Sequence, residues 1–340
     1  MAWAPSSYGA GVYSEPRDLD RAALADALER HWRIAPARLD YLPVGFGSHH
    51  WQAAGADGSC WFVSADDLQR GHHAGRPCDQ SFSLLDRAFR TAAALRNHAG
   101  LEFVLAPIPS ADGALLHRLD RRYAIRVEPF VDGAAGESGD FECRDDRRRM
   151  GALLGRMHAA SGSVPPRLPG REDFALSERE ALEEALARLS TSWDQGPFAE
   201  PARELLRAHA GRVRARLRAY DRLAGRLRDE QGRWVVTHGE PHSANLIRDA
   251  EGGLRLVDWD TALIGPPERD LWMVLDAELT GWDEYRTAMP CARLDEAALD
   301  LYRERWALVE ICVYVAAFRR PHEETEDTRA SWKDLREYLP

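Results

Sequence analysis

Two short segments carry residue types at spacings that suit chemistry: His238-Gly239-Glu240-Pro241-His242-Ser243-Ala244-Asn245 and Val257-Asp258-Trp259-Asp260. They place an acid, an amide and two further acids close together in the chain. The surrounding pattern reads strand, turn, strand. Residues 234–237 enter, residues 245–247 leave, and residues 254–257 return after a hairpin signal at Glu251-Gly252-Gly253. Folding there brings Asn245 near Asp258. An amide oxygen beside a carboxylate makes a hard-oxygen site suited to Mg²⁺ carrying phosphates. Glu240, five residues before Asn245, is placed to accept a proton from a hydroxyl nucleophile. Together these are the parts required for phosphoryl transfer.

The two segments resemble the aminoglycoside phosphotransferase family, which is built on the protein-kinase fold. Its catalytic loop reads His-Gly-Asp-x-His-x-x-Asn and its metal segment Ile-Asp-Trp or similar. The 18-residue step from Glu240 to Asp258 also matches the family's spacing. The resemblance spans roughly residues 40–275. It implies an α+β, bilobal fold with a small antiparallel-sheet lobe over residues 1–127, a hinge at 128–133 and a larger, mostly helical lobe over 134–340. It implies ATP or GTP as donor, Mg²⁺, and a small-molecule hydroxyl as acceptor. Glu240, Asn245 and Asp258 become the catalytic set, with Asn245, Asp258 and Asp260 toward metal. Gly45, Phe46, Gly47 and Ser48 would lie over the phosphates, and the backbone from Glu128 to Phe130 would meet adenine. His238 would buttress the loop. Asp270, in Gly265-Pro266-Pro267-Glu268-Arg269-Asp270-Leu271-Trp272, would hydrogen-bond the loop's backbone.

Two departures stand out. The family's catalytic Asp is Glu240 here, one methylene longer, and a misplacement of roughly 1 Å can cost about a hundredfold in rate. The third-strand lysine of kinase-like chains falls on Ser64, and Lys333 is the chain's only lysine. Losing a charged hydrogen bond to phosphate costs about 1.5–3 kcal/mol. An arginine can replace it, since guanidinium pairs phosphate bidentately. Arg70 and Arg126 are the candidates.

The supporting elements follow from periodicity. Residues 20–32 read as a helix with Asp20 near its N-cap, residues 39–43 as a first strand, and 49–53 and 60–65 as a hairpin across Gly55-Ala56-Asp57-Gly58. Residues 80–97 carry an apolar helical stripe of Phe82, Leu85, Phe89, Ala93 and Leu95, with Asp86 on the solvated face. Strands are expected at 115–119 and 123–127, and helices at 140–160, 174–189, 201–228 and 299–319. Leu154-Gly155-Arg156-Met157-His158 resembles the family's Leu-Gly-x-x-His, with His158 structural. The arginines along 203–228 read as a solvated helix face.

Composition removes several classes of function. A net charge of −10 disfavours a nucleic-acid role and fits a cationic small substrate. The five cysteines form no Cys-x-x-Cys pair, so a zinc site or a disulfide framework is not expected. An odd count, and residues 1–16 without a signal-peptide pattern, point to the cytoplasm. No apolar run reaches the length of a membrane span.

Within the family, the wording of the hinge and the long C-terminal half are nearest to the spectinomycin and aminocyclitol phosphotransferases, which implies resistance or self-protection. The substrate residues expected on that basis are Trp282, Asp283, Glu284 and Glu323, from two acidic stretches that would line a cationic pocket. Two alternatives remain: a kinase of a different hydroxyl, and a nucleotide-binding pseudokinase suggested by Ser64 and Glu240.

Overall fold

The computed structural model describes residues 15–44, 47–69, 76–136, 141 and 143–340. Helix α1 (Arg21–Trp32) begins where the Asp20 carboxylate accepts the Ala22 N–H. Five antiparallel strands follow in the spatial order β1-β2-β3-β5-β4: β1 (Arg38–Leu42), β2 (Ser48–Ala54), β3 (Cys60–Asp67), β4 (His117–Arg118) and β5 (Tyr123–Pro129). Alternation along these strands gives the sheet two unlike faces. Trp51, Ala53, Val63, Ala65, Ile125 and Val127 pack beneath Leu24, Leu28 and Trp32 of α1. The opposite face buries Ser48, His50, Ser64, Asp66, Arg126 and Glu128. Six buried polar side chains on one face are costly unless they pair with one another, and they do so as described below. Helix α2 (Cys78–Asn97) packs Leu85 and Phe89 into the core, while Asp86 pairs with Arg90 at the surface.

The larger lobe supplies two small sheets and most of the helices. β6 (Gly133–Ala135), β9 (Leu246–Asp249) and β10 (Leu254–Leu256) form one sheet; β7 (Gly170–Arg171), β8 (Val235–Thr237) and β11 (Leu263–Gly265) form the other. The helices are α3 (Arg144–Ala159), α4 (Arg179–Ala187), α5 (Ala199–Asp229), α6 (Glu268–Val274), α7 (Trp282–Ala288), α8 (Glu296–Phe318) and α9 (Glu326–Tyr338). Leu206, Val213, Leu217, Tyr220 and Leu227 form the inward stripe of α5. They pack with Leu308, Ile311 and Val315 of α8. Arg216 and Arg226, on the outer side of α5, pair with Glu304 and Asp295. The arginine face expected to be solvated is exposed at Arg212, Arg218 and Arg222 but buried at Arg203, which donates to the Leu189 carbonyl. α7 comes close to α3 because Gly151 and Gly155 lack a Cβ. One placed there would collide with the carbonyls of Gly281 and Tyr285. The lobes are joined partly through Leu256, whose N–H donates to the Phe103 carbonyl at 2.7 Å and whose carbonyl accepts from Leu105 at 3.0 Å.

Several boundaries differ from the sequence reading, three of them with a consequence for the elements that follow. The helix expected from 140 starts at Arg144, where Cys143 caps it. The helix expected from 174 starts at Arg179, because Phe174 and Glu178 hold left-handed backbone angles of +57°. The Phe174 N–H is taken by Glu172 at 2.7 Å, and its carbonyl by the Tyr220 hydroxyl at 2.9 Å, which ties those residues outside a helix. β5 runs on through Glu128 and Pro129, where the hinge was expected to begin.

Candidate active site

The loop after β8 is held from below by one carboxylate. Asp270, in the first turn of α6, is fully buried. It accepts the backbone N–H groups of His238 at 2.9 Å and Gly239 at 2.6 Å, and meets His158 Nε2 at 3.0 Å. Burial alone would raise its carboxyl, yet the His158 hydrogen bond and nearby positive charge hold it below the usual carboxylate range. His158 reaches back to the Tyr285 hydroxyl at 2.9 Å, so α3, α6 and α7 all converge on this anchor. The expected roles of Asp270 as backbone acceptor and His158 as a structural residue describe what is seen.

His238 is also buried. Its Nε2 lies 2.8 Å from the Val257 carbonyl, and its ring packs edge-on against Trp259. Burial pushes its imidazole down to about 4, so it is neutral at pH 7. Gly239 has φ +107°, and a Cβ there would strike the Thr261 hydroxyl and the Arg269 guanidinium. Those groups are themselves committed: Thr261 Oγ1 donates to the His238 carbonyl at 2.8 Å, and Arg269 donates to Thr237 Oγ1 at 2.9 Å. Gly239→Ala should therefore cost about 1–3 kcal/mol from strained backbone alone. Activity should fall in parallel; denaturant melts beside steady-state rates on the variant check this.

Beyond Gly239 the chain turns through Glu240 to Asn245. The Asn245 Nδ2 donates to the Glu240 carbonyl at 2.9 Å. That bond orients the amide so that Oδ1 faces the other way and acts as an acceptor. The β9–β10 hairpin returns as expected, and the Val257 N–H donates to the Asn245 carbonyl at 3.0 Å, seating Asp258 next to Asn245. Asp258 has φ +65°. A non-glycine residue in this region costs about 1–3 kcal/mol and persists where the surroundings fix it, often at functional sites.

Glu240 and Asp260 open onto a cleft of about 1060 Å³, its open mouth included, with walls from Glu172, Asp173, Trp272 and Trp306. Glu172 is buried, and Arg305 at 2.7 Å and Arg269 at 3.3 Å hold its carboxyl low against the upward push of burial. Arg171 also borders the cleft but turns to Gln231 and the Trp234 ring. Trp272 and Trp306 lie 5.9 Å apart. Sequence reasoning missed Glu172, Asp173, Arg269 and Arg305 as part of this site; Trp306, on the expected apolar helix, is buried and also lines the cleft. The available signal was Arg269 beside Asp270, and the charged run Arg171-Glu172-Asp173 after a proline-rich loop.

Other expected residues lie elsewhere. Trp282 stacks on Tyr285, Glu284 pairs with Arg148 at 3.6 Å, and Asp283 starts α7 against α3. The Glu323 carbonyl takes the Thr328 hydroxyl ahead of α9. Among the described residues the cleft beside Glu240 is not lined by these four. Gly45, Phe46 and Arg70 lie outside the described residues. Gly47 has φ +86° with open space around it, and the Ser48 hydroxyl donates to Asp66 at 2.7 Å. Ser64 is fully buried, 3.0 Å from His50 Nδ1 and 3.2 Å from Glu128 Oε2. The Glu128 side chain is engaged by Arg126 at 2.7 Å, and Phe130 is half-buried one residue past β5.

Residues 53–308 match the model of the phosphotransferase enzyme family. Protein StrN of Streptomyces griseus is 28% identical over 346 residues, covering 97% of each chain. A crystal structure of a spectinomycin phosphotransferase with ADP and spectinomycin superposes with TM-score 0.72 at 16% identity, covering 94% of this chain and 95% of that one. A microcompartment-associated aminopropanol kinase superposes at 0.59, also with 16% identity, covering 94% of this chain and 95% of that one. These structural likenesses establish the bilobal kinase-like fold. Among the described residues no helix is long and apolar enough to cross a membrane.

Proposed function

The chain belongs to the phosphotransferase enzyme family, and from that premise we propose that it moves the γ-phosphoryl group of ATP or GTP to a hydroxyl of a small, cationic, polyhydroxylated metabolite of the aminoglycoside or aminocyclitol kind, in resistance or self-protection. The carrying observation is Glu240 lining a tryptophan-walled cleft, together with the backbone bond from Val257 to Asn245 that brings Asp258 near Asn245 along the chain. The oxygen donors Asn245 Oδ1 and the Asp258 carboxylate fit Mg²⁺, because the amide is oriented by the Glu240 carbonyl and Asp258 is held in a constrained backbone. Mg²⁺ there would neutralise phosphate charge.

Glu240 orients the acceptor hydroxyl and takes its proton late. The acceptor oxygen bonds to γ-phosphorus as the bond to the β–γ bridging oxygen breaks, and the nucleoside diphosphate leaves with that electron pair. Such a transfer asks little of a base beyond position. The cleft lining carries Glu172, Asp173, Glu240 and Asp260 alongside Arg76, Arg171, Arg269 and Arg305, so the preference for a cation rests on the net charge of −10 and on the named substrates of the structural neighbours. The structural neighbours named for spectinomycin, aminopropanol and choline share an amine-bearing alcohol as their named substrate.

The test is incubation with Mg-ATP and a panel of aminocyclitols, aminoglycosides and uncharged polyols, with products read by mass spectrometry. Phosphorylated amine-bearing polyols support the proposal; phosphorylation of uncharged polyols alone, or of nothing in the panel, contradicts it. Glu240→Gln should lower kcat by about 10²–10⁴ with little change in nucleotide KM. Glu240→Asp decides whether the extra methylene is a handicap, since a gain in rate would show that it is.

A further inference from the structure

The two segments that bring acids to the cleft part company just before they reach it. The β8–β11 ladder ends at the rung Thr237–Leu263. Past that rung one side runs through His238 and Gly239 to Glu240, and on the other side Thr261 directly follows Asp260. Glu240 and Asp260 both line the cleft. The ladder therefore does not fix the gap between them.

Arg269 of α6, the neighbour of Asp270, bridges the two sides. Its guanidinium donates through one terminal nitrogen to Thr237 Oγ1 at 2.9 Å and through the other to the Thr261 carbonyl at 2.9 Å. Both nitrogens lie 2.5 Å from the place a Cβ on Gly239 would take, so the fork presses on the residue before Glu240. The remaining nitrogen, Nε, faces Glu172 Oε2 at 3.3 Å. Glu172 is fixed in turn by the Phe174 N–H at 2.7 Å and by Arg305 at 2.7 Å. Arg269 is 7% exposed and Glu172 5%. An ion pair buried this deep gains little stability over apolar side chains of the same volume. Bracing the rung does not require it either, since Thr237 Oγ1 already donates to the Leu263 carbonyl at 3.0 Å.

We infer that Arg269 is a positioning residue for the transfer: its planar fork, held from behind by Glu172, sets the spacing between the Glu240 loop and the Asp260 turn. The inference rests on the reaction proposed above and adds the residue that holds its two acidic segments together. Lysine would carry the charge without the fork, because a single nitrogen does not reproduce the fixed geometry of two.

Steady-state rates with Mg-ATP and the acceptor phosphorylated best in the panel above, beside a urea melt of each protein, separate positioning from bracing. Arg269→Met keeps an unbranched side chain, and Arg305 remains to pair Glu172. Its kcat should fall about ten- to a hundredfold, with both KM values within about twofold of the parent. Arg269→Lys should recover only part of that loss. Thr237→Val leaves the Arg269–Glu172 pair in place and cuts one arm of the fork. It should lower kcat about two- to tenfold. In the Arg269→Met background the same change should move kcat by less than about twofold. If Arg269→Met does not fold, Thr237→Val in the parent carries the test alone. A loss confined to the urea melt, a loss confined to KM, full parental kcat in Arg269→Lys, or a Thr237→Val effect that persists undiminished without Arg269 would overturn the inference. If the parent transfers phosphate and these variants keep its kcat, the proposed function stands and this assignment alone falls. A parent that transfers none removes both.

Discussion

Asp258→Asn is expected to lower kcat/KM about a thousandfold or more while the protein stays folded. The Val257 N–H bonds the Asn245 carbonyl, which sets Asp258 one residue past a backbone pairing with Asn245. Asparagine keeps the shape and tolerates the left-handed backbone that Asp258 adopts at φ +65°. The substitution therefore removes charge without adding strain. Steady-state rates, with circular dichroism on the same samples, check both halves. A variant with parental turnover would take Asp258 out of the chemistry.

The second large effect is on stability. Asp270→Ala should cost about 3–5 kcal/mol in urea denaturation, because it orphans two backbone N–H groups and His158 in a fully buried place. Activity should collapse with it, since His238 and Gly239 lose the acceptor that fixes the catalytic loop. The pH dependence has a definite sign. Asp270 ionises more readily folded than unfolded, so its contribution is complete above its ordinary unfolded pKa near 4 and is lost as pH falls through the lower folded value. The gap between parent and variant should be constant from pH 6 to pH 8 and narrow only in acid. A gap that closes between pH 8 and pH 6 would contradict this assignment.

What could be read beforehand depended on how local the interaction was. The β9–β10 hairpin that unites Asn245 with Asp258 is announced by Glu251-Gly252-Gly253, a turn between two short apolar runs. Helices α1, α2 and α5 announce themselves by 3.6-residue stripes, and the Asp20 cap by its position. The anchoring role of Asp270 followed from the resemblance and is visible in its two backbone partners. The position of Arg126 beside Ser64 was harder to read. Its closeness to Ser64 arises from a β3–β5 pairing across 62 residues of chain, and no local pattern encodes that register. The cleft walls were missed for the same reason: Glu172 meets Arg269 and Arg305 only after three separate segments pack together. The acids near Trp282 misled because helix α7 is short and its close approach to α3 depends on Gly151 and Gly155, whose lack of a side chain leaves no hydrophobic pattern to read.

The central claim is that Asn245 and Asp258 hold a metal-bound nucleotide beside Glu240. Calorimetric titration of ATP into the parent and into Asp258→Asn, with and without Mg²⁺, tests it most directly. Binding to the parent should require Mg²⁺ and should weaken by at least about tenfold in the variant. ATP binding that ignores both Mg²⁺ and Asp258, or no binding at millimolar nucleotide, would contradict the account.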